Sequence, residues 1–171
     1  MDEALQLAIE MIEANWNNFK NDLKDLTPEE IDWRPLPQAN NINILMKHLR
    51  VVEELFLSRL EEGERNPYQD AASVQRLTDS IPLHFEQNLK DLEAFHNRFV
   101  AALRTTTVAD LKKKSFSTPF ARGPQPANAL LLAEISHLAS HRGQIRTFRN
   151  LYRRARGEPG LFFPQNPMIG E

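Results

Sequence analysis

Apolar residues recur at intervals of three and four along most of this chain, and β-branched runs are almost absent. That spacing is the helical period, so the chain is read for amphipathic helices. Leu5, Ala8, Ile12, Trp16, Phe19, Leu23 and Leu26 form the first stripe, predicting a helix of about six or seven turns. The stripe stops before Thr27-Pro28-Glu29-Glu30. Thr27 suits an N-cap, Pro28 the first helical position and Glu30 the closing member of a capping box, so a short turn of helix follows. Pro35 and Pro37 end it. A second long helix is expected from about Asn43 to Glu62, with Leu45, His48, Leu49, Val52, Leu55, Phe56 and Leu60 on its stripe and Gly63 as its stop. Residues 63–79 read as a polar connection with about one turn of helix. A third helix begins near Ser80–Pro82 and carries Phe85, Leu89, Leu92, His96, Phe99 and Leu103. Thr107 and Asp110 cap another short turn, and the Pro/Gly-containing linker from Ser115 to Pro126 is not helical throughout. The fourth helix runs from about Ala127 to Ala155, and residues 156–171 form an irregular tail.

Four long amphipathic helices in 171 residues predict an all-α fold, a four-helix bundle built as a single domain over residues 1–171. The connections between the second and third and between the third and fourth helices are long, and the first of them is long enough to cross the bundle. A chain of this length buries about 70% of its unfolded surface, so it folds without staples.

Composition narrows the chemistry. The chain has no cysteine, which excludes disulfides, a cysteine nucleophile and cysteine-ligated metal sites. The net charge of -2 argues against a protein that coats nucleic acid or anionic membrane. The first residues lack the basic and apolar regions of a secretion signal, and no window approaches 18 uninterrupted apolar residues. The expectation is therefore a cytoplasmic protein without membrane or nucleic-acid partners. Charge is unevenly spread: residues 1–64 hold 14 acids and 6 bases, net -8, whereas residues 65–171 hold 9 acids and 15 bases, net +6. Arg142, Arg146, Arg149 and Arg153 step along one face of the fourth helix. That face is either solvated, or a binding surface for an anionic cofactor centred on Arg142 and Arg146, or a complement to the acidic half of a second copy in a homodimer.

The five histidines carry the rest. His137 and His141 are four residues apart and lie on one face of the fourth helix, one turn apart. His48 sits among Leu45, Val52 and Leu55 on the apolar stripe of the second helix. Three imidazoles directed inward from two helices form either a polar core cluster or a divalent-metal site. Two ligands at i and i+4 chelate an ion, and a third from another helix leaves coordination positions open. His96, on the third stripe, reads as a core histidine rather than a fourth ligand, and His84 as a surface residue. Glu134, three residues before His137, is a proton-transfer group, an acceptor behind a ligand, or a solvated residue near the helix start. Gln144, one heptad after His137, orients a bound group or bridges helices. Gly143 inside a helix suggests close helix packing. Leu45 stands where a di-iron bundle would need a glutamate, so a di-iron centre is not expected.

The segment His137-Leu-Ala-Ser-His141-Arg142-Gly143-Gln144-Ile145 resembles the His-x-x-x-His-Arg-Gly-Gln-(Leu/Ile) hallmark of the DinB-like superfamily. His48-Leu49, followed by Glu53, is similar to that family's second motif, and Trp33-Arg34-Pro35 to its Trp-x-Pro. The resemblance implies an up-down-down-up four-helix bundle and a divalent metal, nickel or zinc, held by His48, His137 and His141. It also implies one of several activities. Some members are S-transferases using bacillithiol, mycothiol or a related low-molecular-weight thiol, and others are described as metal-dependent hydrolases or isomerases. The function expected from it is attack of an activated thiol or water on a small electrophilic substrate, with Glu134 and Gln144 as candidates for proton transfer or orientation. The alternative is a non-enzymatic metal- or ligand-binding bundle.

Overall fold

The computed structural model describes residues 2–162; the end of the expected tail, residues 163–171, lies outside the described residues. Seven α-helices are present among them: α1 (Glu3–Asp22), α2 (Pro28–Asp32), α3 (Ile42–Glu62), α4 (Ala71–Ser80), α5 (Phe85–Arg104), α6 (Val108–Lys113) and α7 (Ala129–Ala155). The four long ones are those the apolar stripes predict. Side-chain caps fix where several of them start. The Asp2 carboxylate accepts from the Ala4 amide, and Asn41 accepts from that of Ile44 at 2.9 Å. Thr27 and Thr107 cap α2 and α6 as their sequence signatures require.

Three boundaries differ from the sequence reading. The stripe of the first helix continues to Leu26, but α1 ends at Asp22. The chain then turns through Asp25 at φ 57, a left-handed conformation that no α-helix continues through. Residues 63–79 hold more helix than one turn. After a 3-10 turn at Gly63–Arg65, α4 runs for ten residues. Asp70 caps it, and its Val74 and Leu77 pack on Val51, Leu55 and Ile81 in a small satellite core. The third long helix starts at Phe85 rather than near Ser80–Pro82, because the His84 side chain caps it by accepting from the Gln87 amide at 3.2 Å. In the linker after α6, β1 (Ser115–Phe116) pairs antiparallel with β2 (Gln125–Pro126). Gly63 belongs under this ladder. A Cβ there would lie 2.9 Å from the Ser115 carbonyl oxygen, and its φ is +59.

The core forms two clusters stacked along the bundle. One gathers Leu5, Ile9 and Ile12 of α1 with Phe56, Leu57 and Leu60 of α3, Phe99, Val100 and Leu103 of α5, and Leu130 of α7. The other gathers Trp16 and Phe19 with Ile42, Leu45, Met46 and Leu49, Leu92, Leu138 and Ile145. No helix among the described residues is long and apolar enough to cross a membrane.

Candidate metal centre

His48 comes from α3, and His137 and His141 from α7, which packs against it. Their Nε2 atoms converge. Nε2 of His137 lies 3.1 Å from Nε2 of His48 and 3.1 Å from Nε2 of His141. Nδ1 of His141 lies 2.8 Å from Oε1 of Gln144. A carbonyl oxygen only accepts, so Nδ1 carries a proton and Nε2 is the nitrogen turned toward the other two rings. The Phe56 ring stands edge-on to His137. Burial holds the His137 imidazole down to about 3, helped by the neighbouring His141 and His48 rings. Burial, and secondarily His141, also lowers the value for His48. The site therefore favours neutral His48 and His137 rings, the form that binds a metal. Its donor set fits a divalent ion. Three nitrogens meet from two helices, and one tautomer is set by an outer partner, as metal-ligating histidines are usually held.

The apolar stripes point these rings into the core, and here the structure differs. His48 is exposed, and His137 and His141 are only half-buried. The centre sits at the edge of the α3–α7 seam. Gln144, the partner of His141, also lines an open cavity of about 520 Å³ together with Asn40, Ser140, Gly143, Thr147 and Phe148; the histidines themselves do not line it. Gly143 faces this space. A Cβ built on it meets nothing within 4 Å, so the close helix packing expected of that glycine is absent.

The first three members of the arginine face are engaged by carboxylates of the same chain rather than standing as a free stripe, although Arg146 stays partly exposed. Arg142 Nε donates to Asp22 Oδ2 at 3.0 Å, and Arg146 grips both oxygens of the same carboxylate. Arg149 is buried, bonded to Glu30 at 2.7 Å and to the Asp22 carbonyl at 2.8 Å. The acidic N-terminal part of the chain thus partners the basic helix within one molecule.

Glu134 does not join the histidine triad. It is 2% exposed, which removes the solvated alternative, and lies with Glu53 of α3 and His96 of α5 in a second group of potential ligands. Sequence reasoning noted Glu53 only as a motif position. The signal it left unused is that Met46, Glu53 and Leu60 are seven apart on a core-facing line. His96 is buried, its ring stacked on Trp16 at 4.4 Å. Nδ1 of His96 lies 3.7 Å from Oε1 of Glu53, too far for a hydrogen bond. Both of these atoms, and Oε2 of Glu134, lack any hydrogen-bond partner. Each such orphan costs about 1–3 kcal/mol. Burial pushes the Glu53 carboxyl up to about 7. Glu134 is pushed well above the carboxylate range, by burial first and the Glu53 charge second.

A family-wide sequence comparison matches residues 11–145 to the DinB superfamily. The chain belongs to that superfamily. Among solved structures, a DinB-like protein from Bacillus subtilis is 17% identical, with a TM-score of 0.62 over 94% of this chain and 99% of that one. This likeness concerns the fold. No curated protein matches the chain. For this DinB-superfamily protein, the sequence hallmark and the convergence of its histidines coincide, because the residues that match the motif are those whose Nε2 atoms meet.

Proposed function

We propose that this protein is a metal-dependent enzyme in which His48, His137 and His141 hold one zinc or nickel ion. Its reaction is the attack of a low-molecular-weight thiol, or of water, on a small electrophile bound in the adjoining cavity. The observation that carries this reading is the meeting of three imidazole Nε2 atoms near an open, partly polar space. A divalent ion in that position supplies Lewis acidity, which makes a thiolate or hydroxide available at neutral pH. With no cysteine in the chain, the sulfur of a thiol reaction comes from a co-substrate. Gln144 fixes the tautomer and rotation of His141. Ser140, Thr147 and Asn40 offer hydrogen bonds to a substrate, and Phe148 an apolar wall. Arg142 and Arg146 act one step removed, by clamping α1 to α7 beneath the site.

The bundle order up-down-down-up belongs to the same reading. Asn15 donates to the Ile135 carbonyl and Asp22 meets Arg142 and Arg146, which supports α1 and α7 ascending together. Leu49 and Leu92 share one cluster and Leu60 and Leu103 the other, which supports α3 and α5 descending together.

The test is turnover. Protein stripped by chelator and reloaded with zinc or nickel is assayed for thiol consumption against a fluorogenic electrophile, and for ester hydrolysis. Metal-dependent turnover, lost in His141→Ala, is the expected result. Metal binding without turnover of either kind would instead favour a non-enzymatic metal-binding bundle.

A further inference from the structure

The two stacked core clusters are separated by a single polar layer, and each of three helices contributes one member to it. On α3, Glu53 lies between Leu49 of one cluster and Phe56 of the other. On α5, His96 lies between Leu92 and Phe99, and on α7, Glu134 lies between Leu130 and Leu138. α1 supplies Trp16, whose ring stacks on His96. The three polar side chains are 2–4% exposed. Their potential ligand atoms all lie within 4.8 Å of one another. Protein packing alone leaves this layer incomplete, because Glu53 Oε1, Glu134 Oε2 and His96 Nδ1 have no partner.

We propose that Glu53, His96 and Glu134 form a second divalent-cation site at the centre of the bundle, separate from the three-histidine centre. Charge is the first argument. Without an ion the two buried carboxyls stay neutral only by holding protons against each other, and among the described residues no lysine or arginine pairs with either. A divalent cation balances both and leaves the layer neutral. Geometry is the second. Ligands at about 2.1 Å from a tetrahedral ion stand about 3.4 Å from each other. The 3.7 Å between His96 and Glu53 needs only a small contraction to reach that. Chemistry is the third, since one imidazole and two carboxylates suit zinc, iron or manganese. His96 also lines a cleft of about 490 Å³ between α1 and α5, so the layer borders the surface on that side behind the Trp16–His96 stack.

Along the bundle this site is about one turn of α7 and one and a half turns of α3 away from the histidine centre, from the separations of Glu134 and His137 and of Glu53 and His48. An ion here is therefore an internal staple between α3, α5 and α7, with its own affinity and its own effect on stability.

The test counts zinc per chain in the full-length protein, stripped with chelator, reloaded with zinc and desalted. Wild type is expected to retain two equivalents. His48→Ala/His141→Ala and Glu53→Gln/Glu134→Gln are each expected to retain one. If wild type retains one equivalent and the histidine variant none, the second site does not exist, although the histidine centre stands. If wild type retains one that only the glutamine variant loses, the second site stands and the histidine centre falls. Should the glutamine variant fail to fold, anomalous scattering from zinc-loaded wild-type crystals decides the matter. A peak among Glu53, His96 and Glu134 supports the site, and its absence overturns it.

Discussion

Each histidine of the triad is held differently. Gln144 locks His141 through Nδ1, Phe56 stands edge-on to His137, and His48 reaches across from a neighbouring helix into solvent. Because burial holds His137 down to about 3, its folded value lies below the unfolded one. The unfolded chain then binds more protons between about pH 3 and 6.5, so this residue's stabilisation is complete above about 6.5 and is lost as pH falls. Glu53, pushed up to about 7, acts in the opposite sense, stabilising at low pH and losing its contribution as pH rises through 7. The informative quantity is accordingly the difference between wild type and His137→Asn in the metal-free state. Chemical denaturation from pH 7.5 to 4.5 should show that gap narrowing on the acid side; a constant gap would contradict the assignment. Gly143 gives a second prediction. A methyl there meets no atom and removes a helix-interior glycine. Gly143→Ala should therefore raise stability by about 0.8–1 kcal/mol in thermal melts, while weakening substrate binding if the adjoining cavity is the substrate site. What the sequence displayed at this scale was the identity of the triad. It did not display exposure. A stripe two or three residues wide cannot say which of its edges meets water, and His48 lies one residue, about 100° around the helix, from the buried Leu49.

At the scale of elements, the clamp between α1 and α7 is the feature with most consequence for the site. Asp22 is 3% exposed and ends α1; it receives Arg142 and Arg146 from the same stretch of α7 that carries the histidines. Asp22→Asn leaves two guanidinium groups short of their charge. It should cost about 3 kcal/mol, the lower end for a broken buried pair, because Arg146 keeps contact with water. For a chain of this size that is a fall of about 6–12 °C in melting midpoint; a fall under about 2 °C would show the clamp to be incidental. The long helices were legible because their stripes are long and regular. α4 was not, since only Val74, Leu77 and Ile81 mark its buried side, and they pack in a satellite cluster rather than the main core. The start of α5 was misplaced because a histidine cap is a weaker sequence signal than the Asp70 or Thr107 caps. The charge asymmetry between the two parts of the chain was plain in the sequence, but its resolution within one molecule depended on tertiary placement, which brought Asp22 and Glu30 to α7.

At the scale of the whole molecule, the bundle does two things with α3 and α7. It closes an apolar core in two clusters around a polar layer, and at the edge of the same seam it brings three imidazoles to one point. The hallmark on α7 pointed to the second arrangement from sequence because two of its three imidazoles are local, four residues apart. The polar layer is assembled from Glu53, His96 and Glu134 on three different helices, and no single stretch of sequence records such a meeting. The central claim remains the three-histidine centre, and it is tested most directly by zinc affinity measured in competition with a chromophoric chelator. Measuring both proteins in the Glu53→Gln/Glu134→Gln background confines the readout to the histidines. Loss of an outer partner of a ligand typically weakens binding 10–100-fold. Removing His137 itself, which touches both other histidines, should weaken it by more than about 100-fold. An unchanged dissociation constant in His137→Ala would contradict the account.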